Sequence, residues 1–133
     1  MSQNESGNWN ESPWRLVRNG IEQVTFGMSA DMITCTIGRV QNNAEINPHS
    51  HPNEQIALVV EGRCDYYVDG TPYKLTPGSW VVVPPDVVHY IHVYESEVPC
   101  LQMDIFSPAR PEYVKLYKDF LAEQGQSLVN LDK

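Results

Sequence analysis

The chain has 133 residues, a formal net charge of −8 and 41% hydrophobic residues. That length suits a single domain with a core of its own, and the negative charge argues against nucleic acid or an anionic membrane as partner. No apolar run approaches a membrane span, and the polar N-terminus has no apolar signal core.

Ten prolines and eight glycines punctuate short runs of Val, Ile and Tyr, the pattern of an all-β sandwich or barrel. Residues 1–12 are mostly Asn, Ser, Glu and Gly and read as a mobile arm. The domain then spans residues 13–125. Pro13 to Val17 holds apolar residues with few strand partners, and is expected to pack back on the body or on a second subunit, hence a homodimer. Ile21 to Met28 and Met32 to Gln41 read as strands, broken by Asn42-Asn43. Arg63 to Val68 and Thr71 to Leu75 flank Asp69-Gly70, a two-residue hairpin signal. Trp80 to Val83, His89 to Glu95 and Cys100 to Phe106 are the remaining strands. Tyr66, Tyr67, Tyr73 and Tyr90 read as sheet aromatics, with room for one at a pocket. A helix is expected from Pro111, which suits a first helical position, to Gln124, with Gly125 as its stop. Its apolar stripe is Tyr113, Leu116, Tyr117, Phe120 and Leu121. Residues 126–133 are expected to form a loose tail. Cys35, Cys64 and Cys100 are odd in number and lack CxxC spacing, so they read as reduced, mostly buried thiols of a cytoplasmic protein.

The stretch that carries chemistry is Pro48-His49-Ser50-His51-Pro52-Asn53-Glu54-Gln55. In a strand, residues two apart share a face, so His49 and His51 point the same way. Neutral imidazole is a good ligand for first-row metals. Gln55 has the same parity, and its amide oxygen is a candidate further ligand; Glu54 has the opposite parity. Ile56 to Val60 then reads as a buried strand ending at Glu61-Gly62. A second block repeats the arrangement: Gly78, the apolar run Trp80 to Val83, a Pro-rich turn, and His89 opening a strand. His92 has opposite parity to His89 and reads as outside the site.

These two blocks resemble the paired motifs of the cupin superfamily. His49, His51 and Gly62 fit the first motif, with Gln55 in the Glu slot and Asn43 in the opening Gly slot. Gly78, Pro84 and His89 fit the second, with Asp86 in a Gly slot and Val93 in the Asn slot. The resemblance implies a jelly-roll barrel, the double-stranded β-helix, with a short C-terminal helix added here. It also implies one divalent metal ion (Fe, Ni, Mn, Zn or Co) bound inside the cup by His49, His51, Gln55 and His89.

Met103-Asp104-Ile105-Phe106-Ser107-Pro108-Ala109-Arg110 is similar to the tail of small single-domain cupins of the KdgF family. That resemblance, over about residues 14–114, implies conversion of 4,5-unsaturated monouronates to linear keto forms. Three imidazoles and a neutral amide leave a divalent ion its full +2 charge, which favours Lewis-acid work on a substrate oxygen. Gln102, Asp104 and Phe106 share one strand face, so all three enter the cup or all three miss it. Asp104 is the candidate general acid or base, or else a structural carboxylate that orients a loop or a ligand histidine. Arg110 is the candidate catalytic and substrate-binding cation, gripping a carboxylate with two nitrogens, or else a helix-start ion pair. Phe106 and Gln102 are candidate substrate contacts, although Phe106 also suits a core. The preferred reading is thus a metal-dependent isomerase or ring-opening enzyme on a small carboxylated or sugar-acid substrate. The alternatives are another metal cupin enzyme (dioxygenase, decarboxylase or lyase), a non-catalytic small-molecule binder, and a storage or structural cupin.

Overall fold

A computed structural model describes residues 2–131, with side-chain surroundings through residue 125. A short 3-10 turn at Trp9–Glu11 leads into β1 (Arg15–Arg18), β2 (Ile21–Phe26), β3 (Thr34–Val40), β4 (Glu54–Glu61), β5 (Cys64–Val68), β6 (Thr71–Leu75), β7 (Trp80–Val83), β8 (His89–His92), β9 (Cys100–Ser107) and α1 (Pro111–Leu131). The strands form a six-stranded sheet in the order β1-β2-β3-β9-β4-β7 and a three-stranded sheet in the order β6-β5-β8. All the pairings are antiparallel. This is the jelly-roll sandwich expected from the sequence, with a helix at its C-terminal end.

The two sheets close on one apolar core. Val40, Ala57, Val59, Val83 and Cys100 come from the larger sheet, and Cys64, Tyr66, Val68 and Leu75 from the smaller. Burying each large side chain contributes roughly 1.5–3 kcal/mol. The chain changes sheets at Gly62, whose φ of +76° suits glycine. A Cβ there would lie 2.9 Å from the Cα of Cys100, which is backbone and cannot yield. The two positions where the cupin motif has Gly and this chain does not, Asn43 and Asp86, both have φ +64°. Asn and Asp are the non-glycine residues that tolerate this left-handed backbone best, so the turns survive.

A second apolar cluster lies on the outer face of the larger sheet. Val24 and Ile37, register partners on β2 and β3, are covered there by Tyr117 of α1, with Trp9, Trp14, Phe120 and Leu121 around them. Tyr117 also donates its hydroxyl to Pro13 O at 2.7 Å.

Four local expectations change. The N-terminal arm is tied down rather than loose: the backbone amides of Met28 and Ser29 donate to Glu5, Ser29 Oγ donates to Gln3 O, and Trp9 packs on Phe26. The segment around Trp14 has a strand partner after all, since β1 pairs with β2 through a register shift between Leu16 and Arg18. The helix runs past Gly125 to Leu131, because an isolated glycine costs about 1 kcal/mol in a helix without ending it. Most of the expected loose tail is therefore helical backbone, and its last two residues lie outside the described ones. Leu116 does not join the apolar stripe and remains 48% exposed. Among the described residues no helix is long and apolar enough to cross a membrane.

Candidate metal centre

His49 and His51 are not strand neighbours, because β4 begins only at Glu54. Pro48 and Pro52 flank them and supply no ladder N–H donors. Backbone pairing elsewhere sets their position instead. His49 and His89 exchange N–H···O bonds of 3.1 and 2.9 Å as an isolated bridge, and Asp86 N donates to His51 O at 2.8 Å. The three imidazole rings converge: centroids are 4.3 Å apart for His49 and His89 and 4.7 Å for His51 and His89. One nitrogen of each ring lies within 4.8 Å of the other two.

The tautomer of each ring follows from its partners. Nδ1 of His49 lies 2.6 Å from Asn47 O, Nδ1 of His51 3.0 Å from Asn53 O, and Nδ1 of His89 2.8 Å from Val87 O. A carbonyl only accepts, so the proton sits on Nδ1 and each neutral ring carries its lone pair on Nε2. Nε2 of His89 is buried without a partner. Burial pushes His89 down to about 4, with help from His49, His51 and Arg110 against its bond to Val87. Burial likewise holds His49 below its ordinary value, against its bond to Asn47, with His51, Arg110 and Arg18 adding to the lowering. His49 is the exposed member, on the open side of the cluster.

Gln55 completes the group. Its Nε2 donates to the Tyr66 hydroxyl at 2.9 Å and to Asp104 Oδ1 at 2.6 Å. With both amide protons engaged, Oε1 faces the cluster, 2.9 Å from His51 Nε2. In the neutral Nδ1–H tautomer this contact sets two lone-pair donors against each other. An orphaned Nε2 on His89 and an acceptor-to-acceptor contact at His51 are what a cation between these atoms would satisfy, so the residues fit a divalent metal ion.

Behind Gln55 sits Asp104. Its Oδ1 takes hydrogen bonds from Gln55 and, at 2.5 Å, from Gln102 Nε2, while its Oδ2 takes none among the described residues. Burial pushes its carboxyl up to about 6, although the bonds from Gln102 and Gln55 and the charge of Arg110 pull the other way. Gln102, Asp104 and Phe106 all line one cavity of about 300 Å³ with His49, Gln55 and Arg110. Phe106 is buried and stands edge-on to the His51 ring at 5.5 Å, so it is core and cavity wall at once. Larger hollows of about 540 and 700 Å³ lie by the N-terminal arm and beside α1, but no histidine lines either.

Arg110 combines both readings made for it. Its Nε donates to Glu112 Oε1 at 2.8 Å, the helix-start ion pair. Its guanidinium also lies against Phe106 and Tyr113, 4.9 and 4.4 Å from their ring centres, at the cavity wall. The two-pronged grip through Nε is therefore taken, and of the terminal nitrogens one also donates a long bond to the Tyr113 hydroxyl at 3.4 Å. His92 packs at a tilt against Tyr94, outside the cluster.

Some lining residues were not singled out from sequence. Tyr66 is the sheet aromatic that reaches the pocket, stacked on His89 at 6.3 Å; burial and the charge of Asp104 hold its hydroxyl well above the ordinary range, against its bond from Gln55. Tyr113 lines the cavity from the helix start, stacked on Phe106 one turn before Tyr117. Arg18 and Gln23 reach in from β1 and β2; their signal lay in strand pairing that no local pattern shows.

Residues 36–106 match the family model of the cupin domain. The chain is a cupin. No curated protein matches it. Among solved structures, this cupin is similar to KdgF from Halomonas sp., with 25% identity, TM-score 0.76, and coverage of 84% of this chain and 99% of the other. It is also similar to an RmlC-like cupin from Shewanella frigidimarina, with 27% identity, TM-score 0.71, and coverage of 85% and 99%. At 18% identity, the polyketide cyclase RemF from Streptomyces resistomycificus shares the cupin fold, with TM-score 0.66 and 80% of each chain covered.

Proposed function

We propose that this cupin is a metal-dependent enzyme acting on a small carboxylated or sugar-acid substrate, and that its reaction is the conversion of 4,5-unsaturated monouronates to linear keto forms. The observation that carries the reading is the hydrogen bond that joins Asp104 to Gln55, and so to the histidine cluster, inside one cavity. When bound by His49, His51, His89 and Gln55 Oε1, a divalent ion supplies Lewis-acid polarisation of a substrate oxygen. A cavity of about 300 Å³ is at the small end of ligand sites, which suits a monosaccharide.

The reaction is an isomerisation. The anomeric hydroxyl gives up its proton as C1 becomes a carbonyl, the C1–ring oxygen bond breaks, and the resulting enol becomes a ketone by taking a proton at C4. No other reactant is needed, and protons must be both accepted and returned. Asp104 is suited to this because a carboxyl near 6 is populated in both forms around neutral pH. Gln55 and Gln102 fix its Oδ1 and leave Oδ2 to exchange the proton. Gln102 spends its amide hydrogens on Asp104 and Met103 O, so its remaining role toward substrate is through Oε1, accepting from a hydroxyl. Phe106 walls the sugar on one side. Arg110 contacts substrate oxygens through its terminal nitrogens.

The reading also includes a homodimer. Ile56 and Val82 are register partners on β4 and β7, and with Trp80 they form an outward apolar face, 38%, 44% and 66% exposed respectively. A second copy of the same face is its natural cover. The test of the function is to load the protein with each first-row divalent metal in turn, add 4,5-unsaturated galacturonate, and follow the absorbance of its conjugated double bond. Loss faster than the spontaneous rate supports the assignment, and no acceleration with any metal removes it.

A further inference from the structure

Arg18 and Gln23 line the histidine cavity, and no part of the chemistry above uses them. Nε of Arg18 and Oε1 of Gln23 are both buried without a hydrogen-bond partner. Three of the other four arginines are matched with acids, Arg39 with Glu22, Arg63 with Asp65 and Arg110 with Glu112, whereas Arg15, like Arg18, is not, among the described residues. Arg18 forms no ion pair among the described residues. A guanidinium N–H withdrawn from water without a partner is costly, more so in a wall where water-filled space is small. The chain thus holds a cation ready for an anion that it does not itself supply.

Gly38 points to the same place. Gln23, Gly38 and Gln102 form one row of register across β2, β3 and β9, and all three line the cavity. Gly38 does not have the positive φ that calls for glycine. A Cβ there would meet no atom closer than 3.7 Å, so no close approach of protein demands it either. Glycine inside a strand weakens it and often marks where a ligand comes near the backbone. The missing side chain leaves a shelf between the two glutamines, with Arg18 beside it on the same wall.

We propose that Arg18, Gln23 and the shelf at Gly38 form a carboxylate subsite of the cup, in which Arg18 binds the substrate's carboxylate and Gln23 Oε1 accepts from a hydroxyl beside it. This rests on the reading of the cup as a site for a small carboxylated substrate. It assigns the carboxylate to the wall built by β1 and β2, and leaves Arg110, half engaged by Glu112, to the oxygens at the other end. A planar guanidinium against a carboxylate gives charge-assisted, directional bonds. A neighbouring acceptor adds preference for a hydroxy acid over a simple acid.

The test is calorimetric titration of the metal-loaded protein with galacturonate and with galactose, which differs in carrying CH2OH in place of the carboxylate. Wild type should bind galacturonate more tightly. Arg18→Gln should weaken galacturonate about 10- to 100-fold, bring the two sugars level, and leave metal content unchanged. Gly38→Ala, whose added methyl makes only ordinary van der Waals contacts within the protein, should weaken both sugars with the fold intact. Arg18→Lys keeps the charge and loses the fork, so it should fall between wild type and Arg18→Gln; it carries the test if the glutamine variant does not fold. Unchanged galacturonate affinity in Arg18→Gln, or in Arg18→Lys where that variant stands in, overturns the subsite, as does a wild type that does not prefer galacturonate to galactose. Failure of unsaturated-uronate turnover with the galacturonate preference intact would remove the assigned reaction and keep the subsite. Normal turnover with an unaffected Arg18→Gln would do the reverse.

Discussion

Gln55 Nε2 donates to Asp104 Oδ1 at 2.6 Å, and the same side chain turns its Oε1 toward His51. One residue thereby couples the candidate metal ligands to the candidate acid. Asp104→Asn keeps an oxygen to accept from Gln55 and Gln102 but cannot shuttle a proton. Turnover of unsaturated galacturonate should fall about 10²–10⁴-fold, with little change in the Michaelis constant or metal content. Normal turnover would return Asp104 to a structural role.

The raised carboxyl has a consequence for the metal-free protein. Asp104 is pushed from an ordinary 3.8 up to about 6. A group whose folded value is raised contributes its stability below the unfolded value and loses it as pH rises through the folded one. Ionised Asp104 therefore costs the metal-free fold up to about 3 kcal/mol above pH 6, less what cavity water screens. In chelator, Asp104→Asn should melt above wild type at pH 8, and the gap should close toward pH 4. An equal gap at both pH values would contradict the burial argument.

Arg110 lies against Phe106 and Tyr113 while Glu112 holds its Nε. A cation placed this way contacts ground state and transition state alike. Arg110→Lys loses the planar stacking and the fork, so it should raise the Michaelis constant more than it lowers turnover. Steady-state kinetics on the metal-loaded variant decide this, and a loss confined to turnover would mean that Arg110 acts in the chemical step alone.

The outward face of β4 and β7 sets the assembly prediction. Sedimentation of wild type at micromolar concentration should give a dimer, and Trp80→Lys should shift it to monomer with metal content intact. A wild-type monomer, or a dimer unaffected by the lysine, would rule out this face.

The histidine cluster was legible in the sequence, although the shared strand parity expected of His49 and His51 is not what brings them together. His49 and His51 converge through backbone bonds to His89 and Asp86, across two loops, and no reading of one strand contains such pairing. Gln102, Asp104 and Phe106 enter the cup together because β9 is a regular strand paired on both sides, the condition under which period-2 alternation holds. Arg18 stayed hidden because β1 is only four residues long with a register shift, and its strand character comes from pairing with β2; Gln23 sits in a strand that was read, but no local pattern marks it as facing the cup. Gly125 gave a stop signal that was only a propensity, and no proline followed to enforce it. Asn43 and Asp86 departed from the motif in residue type yet kept its backbone angle, so the fold was readable through them.

Metal content after loading and dialysis tests the centre most directly. Wild type should retain one first-row divalent ion per chain, with imidazole nitrogens at about 2.0–2.2 Å by X-ray absorption if the ion is zinc. His49→Ala with His51→Ala should retain none while keeping the β-sheet spectrum of the folded protein. Equal metal retention by wild type and the double variant would show that the histidine cluster is not the metal site.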